Sequence, residues 1–165
     1  RKFGFIKFID QVNLDKNIHL KHLGPEPLSA KFNFEYFKDY IVGKKRTIKD
    51  ILMDQKFVSG LGNIYVNEIL FFSGVKPTKR IEKLSDLKIK KIIKFSKKII
   101  SKAIILGGSS IKDFSSSSGK KGSFQQYFSV YGKKGENCPK AECFGKIKKT
   151  VIANRASFFC NKCQK

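Results

Sequence analysis

The chain has 165 residues, 41% of them hydrophobic and 13% aromatic, which is enough apolar material to bury a core and excludes a disordered tail. Its 35 Lys and Arg against 13 Asp and Glu give a formal net charge of +22, more than solubility requires, so the expected partner is a polyanion. No apolar run approaches the ~18 residues that span a bilayer, and Arg1 to Asp10 lacks an apolar segment of signal-peptide length, so neither membrane insertion nor secretion is expected.

Taken in chain order, Arg1 to Val12 reads as a strand-like start carrying Phe3, Phe5 and Ile9 with Ile6 and Phe8 between them, and it begins as abruptly as a piece of something longer. The two prolines and the glycine of His22-Leu23-Gly24-Pro25-Glu26-Pro27-Leu28 prevent regular structure and predict a stiff linker. Asn33 is placed to cap a helix with Phe34, Phe37 and Ile41 on its apolar face, stopped by Gly43. Thr47 and Asp50 form a capping-box pattern ahead of Ile48, Ile51 and Leu52, which predicts a second helix to about Lys56. Gly60 and Gly62 allow a compact reversal before Ile64 and Val66 to Phe72 resume a helical pattern that Pro77 should end. Ser85 opens the clearest helix. Its predicted stripe is Ile89, Ile92, Ile93, Ile100, Ala103 and Ile104, with Lys91, Lys94, Lys98 and Lys102 on a solvated opposite face and Gly107 and Gly108 at its close. Ser109 to Ser123 falls to Ser, Gly and Lys and reads as a mobile loop.

All four cysteines lie in the pattern Cys138-x4-Cys143-x16-Cys160-x2-Cys163. Two thiolate pairs separated by a hairpin-length segment fit one structural Zn2+ with no open coordination position, in a reducing compartment such as a bacterial cytoplasm. Lys146 to Ile152 and Ser157 to Phe159 alternate as hairpin strands, which leaves Ala153-Asn154-Arg155-Ala156 as the turn and Arg155 at its tip, where a guanidinium can meet a phosphate. A second phosphate site is expected at Gly60-Leu61-Gly62-Asn63, where the turn frees backbone N–H groups at a helix start. Asn63 can add an amide there, and the basic cluster Lys44, Lys45, Arg46 and Lys49 lies just upstream. His19 and His22 have no ligand partners nearby and read as ordinary polar residues.

Six ordered motifs together resemble the C-terminal two-thirds of the bacterial formamidopyrimidine-DNA glycosylases, a family that also contains endonuclease VIII. They are Arg1-Lys2-Phe3-Gly4, the His22 to Leu28 linker, Met53-Asp54-Gln55-Lys56 with Gly60-Leu61-Gly62-Asn63-Ile64-Tyr65, Gly107-Gly108-Ser109-Ser110, Val130-Tyr131-Gly132, and Asn154-Arg155-Ala156-Ser157-Phe158-Phe159-Cys160. The linker and the long Gly/Ser loop resemble the branch acting on oxidised purines such as 8-oxoguanine. The resemblance implies a mainly α fold, a helix-two-turn-helix DNA-binding domain, with a C-terminal β-hairpin zinc finger. Residues 1–28 would be the end of an N-terminal domain and a linker, 29–124 the helix-two-turn-helix domain with its lid loop, and 130–165 the zinc finger.

By resemblance, Lys49 and Asn63 bind phosphates at the lesion, Lys45 makes a further DNA contact, and Arg155 serves both the lesion phosphates and δ-elimination. Arg1 and Phe3 match residues that fill the gap left by a flipped base. Cys138, Cys143, Cys160 and Cys163 hold the zinc. The implied partner is damaged double-stranded DNA, met by a monomer at the nucleoid. The family's nucleophile is an N-terminal proline assisted by a Glu, whereas this sequence has no proline before Pro25, so these 165 residues alone are expected to be inactive. The rival readings are a stand-alone zinc-ribbon module for nucleic acid, RNA or ribosome associated, and a zinc-stabilised interaction domain with little salt-dependent binding.

Overall fold

The structure is a computed structural model and describes residues 6–14, 16–109 and 122–165. Among the described residues four helices, α1 (Phe34–Ile41), α2 (Ile48–Leu52), α3 (Asn63–Ser73) and α4 (Asp86–Ile105), precede an antiparallel hairpin of β1 (Ile147–Ile152) and β2 (Arg155–Cys160). The chain is thus mainly helical with a small β module at its end. Single 3-10 turns lie at Gln11–Asn13, Ile81–Lys83 and Phe124–Tyr127.

Local capping explains where the helices start. The Asn33 side chain accepts from Tyr36 N at 2.9 Å to open α1, and Thr47 Oγ1 accepts from Asp50 N to open α2. Helix α2 stops at Leu52, a turn earlier than the sequence suggests. There the Asp54 carboxylate accepts from Lys56 N at 3.0 Å, and this side-chain turn takes the place of another helical one. Gln55 then clamps the reversal, accepting from Gly60 N at 2.8 Å and donating to Leu61 O at 3.0 Å, while Gly60 takes a φ of 83°. Helix α3 ends at Gly74, in a left-handed conformation, and not at Pro77.

Residues Val66 to Phe71 of α3 are all buried, because this helix packs between α4 on one side and β2 on another. Facing it, α4 buries Ile89, Ile92, Ser96, Ile99 and Ala103. The stripe is rotated from the predicted one: Ile93 and Ile100 flank it and Ile104 is 64% exposed. Phe32, Phe37 and Phe57 close the helical core with edge-to-face contacts, Phe57 meeting Phe37 at 4.9 Å and Phe32 at 5.8 Å.

Two further expectations need correction. Residues 6–12 form no strand; Ile6 and Phe8 are exposed, and among the described residues no edge lies alongside to satisfy their backbone. In the hairpin the ladder runs as far as Ile152 opposite Arg155, so the turn is only Ala153-Asn154, both at positive φ (47° and 57°). Arg155 is therefore the first residue of β2 and not a turn residue. The linker is docked against the helices: Gly24 N donates to Gln55 O at 2.8 Å and Ser59 N to Pro25 O at 3.1 Å. Most of the expected loop, residues 110–121, and both Arg1 and Phe3 lie outside the described residues.

Candidate nucleic-acid interface and metal centre

Cys138 and Cys143 flank a tight knuckle before β1, and Cys160 and Cys163 flank the end of β2. Their four Sγ atoms lie within 4.8 Å of one another, with Cys138 to Cys163 at 3.8 Å and Cys143 to Cys160 at 3.7 Å. Those separations are far beyond a disulfide bond. They match the edge of about 3.8 Å of a tetrahedron with Zn–S bonds near 2.3 Å. Burial works against a Cys160 thiolate, yet the N–H groups of Cys163 and Lys162 and the neighbouring thiols bring its pKa down to about 7. Four thiols at this spacing are positioned to hold a metal ion.

The knuckle leaves no room at Gly145, where a Cβ would sit 2.5 Å from Cys160 Sγ and 2.9 Å from Lys162 Cβ. Gly145→Ala is expected to displace a ligand and lower metal affinity about tenfold or more, which a competitive chelator titration would read.

At the other end of the hairpin, donors from the helices meet β2. The Ala156 carbonyl accepts from Lys49 Nζ at 2.9 Å and from Asn63 Nδ2 at 3.0 Å. Lys49 also donates to Ser157 Oγ at 2.6 Å. Lys49 is only 1% exposed although it is a lysine, and no carboxylate among the described residues bonds its ammonium. Burial lowers its pKa from 10.5 to about 8, with the Asp50 carboxylate opposing the shift and the Arg155 guanidinium adding to it. The first N–H groups of α3 have no carbonyl within the helix to bind, and Arg155 is exposed at the hairpin end. A buried cation, an amide, a helix N-terminus and a free guanidinium thus share one place, which suits a bound anion.

Of the sequence-predicted residues, the fold brings Lys49, Asn63 and Arg155 together. It divides the upstream basic cluster. Lys44 lies over the Tyr40 ring at 4.0 Å, and Arg46 pairs with Asp54 at 2.7 Å, which together with the Lys56 N–H holds the Asp54 carboxyl below its usual range against the effect of burial. Lys45 is exposed, and no described contact joins it to Lys49, Asn63 or Arg155.

Residues 23–115 match the family model described as the formamidopyrimidine-DNA glycosylase H2TH domain. The chain belongs to this family. It is 37% identical over 165 residues to the formamidopyrimidine-DNA glycosylase of Ruegeria sp. (strain TM1040), covering 100% of this chain and 58% of that protein. To the same enzyme of Bdellovibrio bacteriovorus it is 43% identical over 165 residues, covering 100% of this chain and 60% of that protein. A solved complex of the Lactococcus lactis enzyme with DNA containing an abasic site superposes with a TM-score of 0.85 at 35% identity, over 95% of this chain and 57% of that one. The chain therefore spans somewhat over half the length of the glycosylases it matches.

Three buried polar side chains make hydrogen bonds around this arrangement. Asn67 donates to Asn63 O and accepts from Phe158 N, both at 2.6 Å. Ser157 bonds Lys49 and, at 3.3 Å, Arg155 O. Glu68 accepts from the backbone N–H groups of Ser129, Val130 and Tyr131 at 2.8, 3.0 and 2.9 Å and so bolts the segment entering the finger onto α3. The usable signal was a polar pair, Asn67-Glu68, inside the otherwise apolar run Ile64 to Phe72, since polar groups in a buried helix must find partners.

Proposed function

We propose that this chain is the DNA-gripping portion of a base-excision glycosylase and abasic-site lyase that acts on oxidised purines in duplex DNA. The carrying observation is the convergence of Lys49 and Asn63 on the Ala156 carbonyl beside the exposed Arg155. In this reading one phosphate near the lesion is met by Arg155 from the finger, by the Asn63 amide and the start of α3, and by the Lys49 ammonium from behind. Lys45 contacts the backbone further along, and Arg1 and Phe3 enter the duplex. One Zn2+ held by Cys138, Cys143, Cys160 and Cys163 supplies rigidity and leaves no open coordination position for chemistry. The relatives' bacterial origin and the reduced thiols favour work in the cytoplasm, as a monomer at the nucleoid. Among the described residues no helix is long and apolar enough to cross a membrane.

Duplex binding measured by anisotropy across a salt series tests the reading. Affinity should fall steeply with salt, with roughly 0.9 in log-log slope for each phosphate contact. Asn63→Ala and Arg155→Ala should each weaken binding about tenfold, while Lys98→Ala on the outer face of α4 should leave it unchanged. With an abasic duplex and borohydride, these 165 residues alone should trap no imine, because even Lys49, with its pKa lowered to about 8, is mostly protonated at neutral pH and has its buried nitrogen bonded to Ala156 O and Ser157 Oγ. Unchanged binding in both variants, with loss in Lys98→Ala, would place the phosphate elsewhere.

A further inference from the structure

We propose that Ser157 and Asn67 are positioning residues that tie the anion-binding donors Lys49 and Asn63 to the metal-bearing strand β2; the inference rests on the DNA reading above. Five of the six residues of β2 carry the whole arrangement. Arg155 offers its guanidinium, the Ala156 carbonyl takes Lys49 and Asn63, the Ser157 hydroxyl takes Lys49, the Phe158 N–H goes to Asn67, and Cys160 belongs to the thiol cluster.

The geometry explains why two helical donors need a strand to aim them. A lysine stem has several rotatable bonds and no direction of its own, and an ammonium has three protons to place. Two are directed at β2 atoms 2.9 and 2.6 Å away, so the third is left to point from a fixed nitrogen. Because Lys49 and Asn63 share one carbonyl, their donor nitrogens lie within about 6 Å of each other, close enough to serve the oxygens of one phosphate. Asn67 sets the spacing of the two parts. Its amide is fully buried, and one end holds the first turn of α3 while the other holds β2. Order at the metal centre thereby reaches donors that belong to the helices.

The test uses the zinc-loaded chain, binding to an abasic duplex, and the salt slope. Asn67→Ala and Ser157→Ala are each expected to weaken binding roughly three- to tenfold. The slope should become shallower by about 0.9, one phosphate contact, with zinc stoichiometry intact. Ser157→Thr, which keeps the hydroxyl, should restore the wild-type slope. In an Asn67→Ala background, Asn63→Ala should cost far less than it does alone. Losses that simply add, or a lower melting temperature with an unchanged slope, would overturn the positioning roles while the DNA reading stands. A wild-type chain that does not bind duplex at all overturns both. If Asn67→Ala does not fold, the Ser157→Ala and Ser157→Thr pair decides alone.

Discussion

Chelating the metal is expected to unfold residues 130–165 and to remove nearly all duplex affinity, while the helices persist. Beside the helical core lies a separate small hydrophobic cluster at the hairpin, which holds little besides Phe71, Val130, Ile147 and Phe158, its remaining buried members being Cys138 and Cys160 themselves. Phe71 belongs to α3, so the module contributes only three buried non-cysteine apolar side chains of its own to that cluster. A core of that size does not offset the conformational entropy of ordering the segment. Structural zinc contributes about 10 to 16 kcal/mol near neutral pH in comparable small modules, and that term is what would be lost. The helical core around Phe37, Ile51, Leu52, Ile69, Ile89 and Ile92 stands apart from the cysteines and should keep its far-ultraviolet helical signal. Affinity goes with the finger for two reasons: Arg155 loses its place, and Lys49 and Asn63 lose the Ala156 carbonyl. Titrating a chelator while following circular dichroism and anisotropy checks this, and a metal-free chain with unchanged duplex affinity would refute it.

What the sequence discloses follows the reach of each interaction. Asn33 and Thr47 cap helices through partners three residues away, and the cysteines announce a metal by spacing alone, so these features are legible in one dimension. The hairpin turn is hard to read from sequence because a two-residue turn of this kind needs positive φ at both positions, which suits Asn154 but not Ala153. The end of helix α2 is hidden in the sequence because Asp54 fits a helical pattern, whereas its carboxylate accepts from Lys56 N and replaces the next helical turn. The site itself is a long-range object. Lys49 meets Ser157 across 108 positions and Asn67 meets Phe158 across 91, and no local pattern encodes such meetings. A resemblance supplies the roles of Lys49, Asn63 and Arg155, but it says nothing of Lys49 being buried, and the burial has consequences of its own.

Replacing that buried ammonium, Lys49→Met, is expected to stabilise the fold and weaken DNA binding together. Methionine fills similar volume without a charge to desolvate. The hydrogen bonds left behind are not orphaned, because Ala156 O keeps Asn63 Nδ2 and the Ser157 hydroxyl keeps Arg155 O. Allowing for solvent screening, the depressed pKa corresponds to on the order of 2 kcal/mol of relief at neutral pH. The same shift fixes the sign of a pH dependence. The unfolded chain holds this proton up to about 10.5 and the folded chain only to about 8, so between those values the unfolded state binds more protons and wild-type stability rises with pH. Duplex affinity should move oppositely over that window, falling as the ammonium that attracts the phosphate is neutralised. In Lys49→Met both pH dependences should be flatter than in the wild type, with binding weak throughout. Urea titrations and anisotropy at about pH 7 and about pH 10 separate the two curves. If Lys49→Met instead lost several kcal/mol of stability, the ammonium would be a strut for β2 first and a phosphate ligand second. Opposite slopes for folding and for binding would mean that the fold keeps a costly buried charge because the anion needs it there.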